Sequence, residues 1–373
     1  MISDNRRIES LTGARFVAIM IIVFSHFEFL KGYGYLGEIY WNFFHNATLR
    51  VVFFFALSGF GMMLSSMRKD PAGTGNIGGL KGLINFWKRH VQKIYPAYII
   101  FLFLGIPYMF LENLEIGKTI LNSLVRCAKY IPLDLFLLQS ATGKMSFSHS
   151  FNGVCWFLSC LFCIYLISPI IMKLLKRYVK TSKMAIKGIV LCIIISCILA
   201  FIFEWIDKYT FFDDLAYGSP YRRVFYVIPG MLLAQIYVFY KYYRSLFNDG
   251  LFEYVSIGSA AIWFLFRNFI ITYLGLGIYV IDMVIVCCVL FALSLEKGVC
   301  SVFLSSKSMV YFGNISMYIF LSHYNIRMYL DYLVRNLKME SITVGMIEVL
   351  AILALTLFIS SFIHYYRMKS LSN

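Results

Sequence analysis

"ARFVAIMIIVFSHFEF", residues 14–29, is an apolar run with Arg15 in its first turn and His26 well inside it. Such a run is a candidate membrane helix, and ionisable groups are costly in hydrocarbon. In a helix, the eleven residues from Arg15 to His26 amount to about three turns plus 20°. Both side chains therefore share one face, about 16 Å apart along the axis. Glu28 lies about 200° round from His26 and pairs better with Lys31 at an interface.

The remainder of the chain is of the same character. Its 373 residues are 60% hydrophobic, 18% aromatic and only 14% charged, with a mean hydropathy of +0.74. A soluble domain carries about a quarter charged residues, so there is too little polar surface here to cover a globule. The apolar runs are long and continuous, which points to helices and not to the short alternating strands of a barrel. The sequence predicts an all-α integral membrane protein, a bundle of about ten transmembrane helices forming a single domain over residues 1–373. The predicted spans are 13–31, 47–67, 94–111, 152–172, 186–206, 222–240, 251–270, 273–295, 309–330 and 343–364. The seventh and eighth are separated only by "TYLGLG". Residues 119–139 hold Arg126, Lys129, Pro132 and Asp134, and fit an interfacial or re-entrant element. Arg6 and Arg7 before the first run imitate a secretory signal, but no small-residue cleavage site follows, so a retained span is expected.

Charge supports this topology. The net charge of +15 is distributed mainly over alternate loops, with six basic residues in 68–93 and six in 173–187. With both termini cytoplasmic, 20 of the 34 Lys and Arg fall on the inner side, while the outward "WIDKYTFFDDLAYG" is acidic. In a membrane protein this basic excess addresses anionic headgroups or an anionic ligand, and no nucleic acid is implied. Nine cysteines, mostly within apolar runs, argue against a disulfide framework, and Cys160 and Cys163 read as packing residues. No metal-ligand pattern is present. Gly73, Gly75 and Gly78 satisfy G-x-G-x-x-G without the strand that a dinucleotide site requires.

His323, in "NISMYIFLSHYNIRMY", lies about fourteen residues into its span; His26 lies about thirteen into the first. Equal depth would let the two imidazoles converge on one cavity. His45, His90, His149 and His364 fall in loops or at span ends, where solvated or interfacial positions are expected. Lys88, Arg89 and Lys93 precede the third span, either as a topological signal or as phosphate ligands. Ser58 and Gly59 in "FFFALSGFGMML" permit close helix approach. Trp156 opens "CWFLSCLFCIYLISPI", at the expected outer interface.

Taken in order, these stretches resemble the membrane-bound acyltransferase 3 family. The resemblance rests on Arg15, ten residues, then His26; on "FFALSGF"; on "RHVQKIYPAY", which holds Arg89 and Lys93; on "WFLSCLFCIYLISP"; and on "YIFLSH", ending in His323. It covers essentially the whole chain. The sequence departs from the family where Leu161 replaces a frequent Glu, Val52 a frequent Asp and Arg50 a frequent Gly, which leaves an acidic partner for histidine in doubt. The esterase-like domain fused to some relatives is not expected here.

The resemblance implies transfer of an acyl group, usually acetyl, from cytoplasmic acyl-CoA to a hydroxyl of a surface or envelope sugar or polysaccharide. The protein would act in the lipid bilayer of the cell membrane. Arg15, Arg89 and Lys93 would hold the CoA phosphates. His26 would act as base or acyl carrier with His323 assisting, and Trp156 and Ser58 are candidate acceptor-binding residues. The rivals are a proton-coupled permease using the two histidines and a polysaccharide polymerase or exporter. Against them, the paired helix breaks of a transporter are not found, and the outer segment 112–151 holds only one Arg.

Overall fold

The computed structural model of the chain describes residues 7–27, 30, 34–44, 48–70, 79–243, 249–275, 277–337 and 341–372. Among these residues there is no strand. In hydrocarbon every backbone N–H and C=O must be satisfied within the protein, and the helix does this locally. The long helices are α1 (Glu9–Ser25), α3 (Thr48–Lys69), α4 (Gly79–Glu115), α7 (Trp156–Tyr178), α8 (Ser182–Tyr209), α10 (Pro220–Tyr243), α11 (Asp249–Leu274), α12 (Gly277–Ser294), α14 (Lys307–Asn336) and α15 (Ile342–Ser372). Shorter ones are α2 (Gly34–Phe44), α5 (Ile120–Leu135), α6 (Met145–Ser148), α9 (Leu215–Gly218) and α13 (Val299–Leu304).

Each of the ten predicted spans falls on a long helix. Among the described residues, seven of these helices are long and apolar enough to cross a membrane: α3, α4, α7, α8, α10 with the turn before it, α12 and α15. The other three are α1, which has only 17 residues, α11 and α14; they carry Arg15, the buried Arg267 paired with Asp282, and His323. The predicted seventh and eighth spans separate as α11 and α12, with Gly275 at φ +49 beginning the turn. Within 119–139, residues Ile120–Leu135 form the amphipathic α5. Glu28, Lys31, His45, Arg6 and the three glycines at 73, 75 and 78 lie outside the described residues.

Two boundaries differ from expectation. The third span starts far earlier: α4 is continuous from Gly79, so Lys88, Arg89 and Lys93 are helical and not in a loop. At 1.5 Å per residue α4 is about 54 Å long, much more than the hydrocarbon thickness. Its basic first half therefore projects beyond the apolar layer. The first span ends earlier, at Ser25, because side chains terminate it. Nδ1 of His26 lies 2.9 Å from the carbonyl of Ile22, and Ser25 Oγ donates to the same oxygen at 2.6 Å. These groups occupy a carbonyl that helix termination leaves without a backbone partner.

Two close crossings set the bundle. Gly313 of α14 faces Thr12 of α1, and a Cβ there would stand 1.9 Å from the Thr12 carbonyl oxygen. Gly59 of α3 and Gly230 of α10 meet reciprocally, with added Cβ atoms 2.0 and 1.8 Å from opposing carbonyls. The close approach expected at Gly59 is thus present. Phe16 and Phe312 stack at 4.7 Å just above the first crossing. Thr12 meets Gly313 and, farther along, His26 meets His323, so α1 and α14 run parallel.

Candidate active site

Helix α1 is tied at both ends. At its start, the Glu296 carboxylate accepts from the backbone N–H groups of Glu9 (2.8 Å) and Ser10 (3.3 Å), an anion at a helix N-terminus. At its end, buried Arg50 donates Nη1 to the Ile21 carbonyl at 2.9 Å, and the Tyr40 hydroxyl donates to that of Phe24. His26 therefore stands on a helix end whose carbonyls are filled one after another.

The two histidines form a directed pair. A carbonyl only accepts, so the 2.9 Å contact to Ile22 requires the hydrogen of neutral His26 on Nδ1. His323 repeats the pattern one helix over: its Nδ1 is 3.0 Å from the carbonyl of Ile319, again four residues back. That leaves the His323 Nε2 lone pair 3.3 Å from His26 Nδ1, as a second acceptor for the same hydrogen. In this arrangement Nε2 of His26 carries an available lone pair. If that nitrogen gains a proton, the imidazolium has two acceptors on its other side. Among the described residues no carboxylate reaches either imidazole, so the acid that Leu161 and Val52 replace has no substitute. Both residues are buried apolar side chains here.

His26 lines a cavity of about 1080 Å³. Arg15 lines it too, so it extends over at least the roughly 16 Å between them. Nine Lys and Arg side chains border the cavity and one carboxylate, Asp70, which Lys176 already holds at 3.3 Å. Arg89 and Lys93, one turn apart on α4, are both in this border. Sequence reading did not place Arg7, Lys173 or Arg367 there. Arg367, on the last helix, reaches the Tyr318 hydroxyl at 2.8 Å, a meeting that no local pattern reveals.

Ser58 lines the cavity with its hydroxyl donated to the Phe54 carbonyl at 2.8 Å, which leaves the oxygen as an acceptor. Trp156 lines its far part but does not belong to an interfacial belt. It is 6% exposed, with the Arg223 guanidinium 5.5 Å from its ring and Tyr217 5.0 Å away. Two other histidines also depart from expectation. His90 is a cavity residue packed between Phe86 and Tyr165, with ring centroids at 4.1 and 4.6 Å. His149, in the connection before α7, is half-buried: Ser148 Oγ contacts its Nδ1 at 2.8 Å and donates to Asp214. Burial pushes His149 down to about 4 and Asp214 up to about 6.

The cavity has a basic mouth and reaches His26, with His323 buried behind it outside the lining. The profile of the acyltransferase 3 family, described as an acyltransferase domain, matches residues 8–365. The chain belongs to this family. It is also similar to Acyltransferase MdmB of Streptomyces mycarofaciens, with 29% identity over 175 residues. That alignment covers 46% of this chain and 41% of the relative, so the chain spans less than half of the curated protein it matches. No solved structure matches the chain. The family assignment and the apolar helices make it a multi-pass membrane protein of the acyltransferase 3 family.

Proposed function

We propose that the protein transfers an acyl group, acetyl by preference, from cytoplasmic acyl-CoA to a hydroxyl of a cell-surface or envelope sugar. The observation that carries this reading is the cavity joining a strongly cationic mouth to His26. CoA carries its phosphates at one end and its thioester at the other, joined by a long flexible arm. Arg15, Arg89 and Lys93 would take the phosphates by charge-assisted hydrogen bonds. The arm would then bring the thioester toward the imidazole pair. The basic face is read as cytoplasmic, with ten spans, both termini on that side, and the cell membrane as the site of action.

The chemistry follows from the tautomer. Nε2 of His26 takes the proton of the acceptor hydroxyl as its oxygen attacks the thioester carbonyl. The new imidazolium shares its Nδ1 hydrogen between the Ile22 carbonyl and His323 Nε2. When the C–S bond breaks, the proton passes from Nε2 to the departing CoA thiolate, and the base is regenerated. Ser58 and Trp156 border the volume available to acceptor and acyl group. The name of the similar Streptomyces protein supports acyl transfer as the reaction class.

The test uses membranes containing the full chain, labelled acetyl-CoA and the glycan of the host. Ester-linked label on the glycan is expected, lost in His26→Ala at unchanged protein level. Undiminished labelling in His26→Ala would remove the catalytic assignment. Absence of any acetyl-CoA-dependent label would remove the proposed donor and acceptor.

A further inference from the structure

Beside the basic mouth, a smaller pocket of about 420 Å³ is bordered by Lys69, Gly82, Asn85, Lys88, Arg89 and Gln92. Lys69, Gly82 and Arg89 also line the main cavity, so the pocket is an annex of the mouth. Among the described residues, its border holds three cations and two amides and no carboxylate. Lys69, at the end of α3, is close enough to Arg89 on α4 for the two charges to repel. Arg89 Nε donates to the Asn85 carbonyl of its own helix at 3.1 Å, which anchors the guanidinium against α4.

The cations of α1, its approach and α15 form a second set. Arg7 Nη1 donates to Asn314 Oδ1 at 2.8 Å, and Arg367 Nη1 to the Tyr318 hydroxyl at 2.8 Å and the Lys93 carbonyl at 3.4 Å. Asn314 and Tyr318 are one turn apart on α14, so these contacts gather Arg7, Arg367 and Lys93 along that helix. Lys93 is repelled most by Arg7 and Arg15, and less by Arg89 and Lys69. It lies one turn, about 6 Å, farther along α4 than Arg89. The mouth thus offers two cationic stations. One is at Arg15 and Lys93; the other, one turn nearer the start of α4, is at Arg89, Lys69 and Lys88.

A CoA thioester also carries its phosphates in two places: the diphosphate that begins the pantetheine arm and the monoester on the ribose 3′ oxygen. The arm from diphosphate to sulfur is about twelve bonds, or four residue lengths, roughly 14 Å when extended. With a phosphate–guanidinium contact of about 3 Å, this matches the distance of about 16 Å from Arg15 to His26. The diphosphate therefore belongs with Arg15 and Lys93. About six bonds separate it from the 3′-phosphate, at most about 7 Å, close to the one-turn step from Lys93 to Arg89. We propose that the annex is the subsite for the ribose 3′-phosphate, held by Lys69, Lys88 and Arg89. The inference rests on the acyl-CoA reading above and adds a basis for choosing among donors. A thioester of phosphopantetheine, free or attached to a carrier protein, lacks this phosphate and engages only the station at Arg15 and Lys93.

The experiment is isothermal titration calorimetry of the full chain in detergent with CoA and with dephospho-CoA, which carries a 3′ hydroxyl. The wild type should bind CoA at least about tenfold tighter, the equivalent of one charge-assisted contact. Lys69→Gln/Lys88→Gln should weaken CoA to the level of dephospho-CoA. It should leave dephospho-CoA within about twofold, which also shows that the variant is folded. Arg89→Gln should follow the same pattern and decides the matter if the double variant fails to fold. Arg15→Gln should weaken both ligands by a common factor. Equal affinity of the wild type for the two ligands, an unchanged ratio in a folded annex variant, or a loss confined to CoA in Arg15→Gln would overturn the subsite. Absence of CoA binding by the wild type would overturn the donor reading with it, which separates the two failures.

Discussion

Removing His323 tests whether the two imidazoles act as a unit. Its Nε2 accepts the His26 Nδ1 hydrogen at 3.3 Å, a long contact, while the Ile22 carbonyl takes the same hydrogen at 2.9 Å. A hydrogen bond to a charged group contributes about 1.5–3 kcal/mol. The length of this one and the remaining acceptor set the loss near the lower limit, about 1.5 kcal/mol. At roughly 1.4 kcal/mol per decade, His323→Ala should lower kcat about tenfold. His26→Ala removes the base itself and should cost about 10²–10⁴. The double variant should be no slower than His26→Ala, within about threefold, because His323 acts only through His26. His323→Gln, whose amide oxygen can accept the same hydrogen, should recover most of the rate. The assay is initial-rate transfer from labelled acetyl-CoA in membranes, normalised to protein level, because His323 is fully buried and its truncation leaves a void. Additive losses in the double variant, or His323→Ala as inactive as His26→Ala, would refute the directed pair.

Arg89→Ala and Lys93→Ala should raise KM for acetyl-CoA about three- to thirtyfold while leaving acetyl-pantetheine, which lacks the nucleotide phosphates, almost unaffected; steady-state kinetics with both donors check this. Gly313→Ala should cost stability by about 1–3 kcal/mol and reduce activity, since its methyl would meet the Thr12 carbonyl and separate α1 from α14. Gly61→Ala, with open space at the same atom, should be neutral in thermal unfolding. Asp214, raised in the fold to about 6, binds more protons folded than unfolded between its ordinary value and 6, so its contribution falls as pH rises there. His149, lowered to about 4, works in the opposite direction, contributing less as pH falls from 6.5 to 4. The two should nearly cancel between about pH 4 and 6. In Asp214→Asn, unfolding temperature should then rise with pH over this window, and a curve parallel to wild type would contradict the assignment.

Much of this was legible in the sequence because hydropathy reports burial in lipid directly. Each apolar window fell on a helix, and the matched depths of His26 and His323 anticipated their meeting. The ends of the helices were less legible, since they depend on side-chain acts such as the His26 ring taking the Ile22 carbonyl. The basic run 81–93 reads as loop or helix equally well by charge, and only its continuity into α4 decides. Trp156 looked interfacial from its position at a span start; tertiary packing with Arg223 and Tyr217 buried it. Arg367 and Arg7 join the mouth from opposite ends of the chain, which no window of sequence contains. His90 and His149 were judged by span position, whereas aromatic and hydroxyl neighbours from other segments determine their surroundings.

The hydrogen bond between His26 and His323 closes a sequence separation of 297 residues. At translation rates of about 5–20 residues per second, the first imidazole waits some 15–60 s for the second to be made. Each ring is meanwhile held by its own helix, through a carbonyl four residues back, and neither needs a buried carboxylate. Helix α1 can thus be laid into the bilayer carrying a neutral, already oriented imidazole, while the partner that completes the pair arrives 297 residues later. The pairing is then tied to synthesis of α14, and a chain released before that helix is made would carry His26 without its partner.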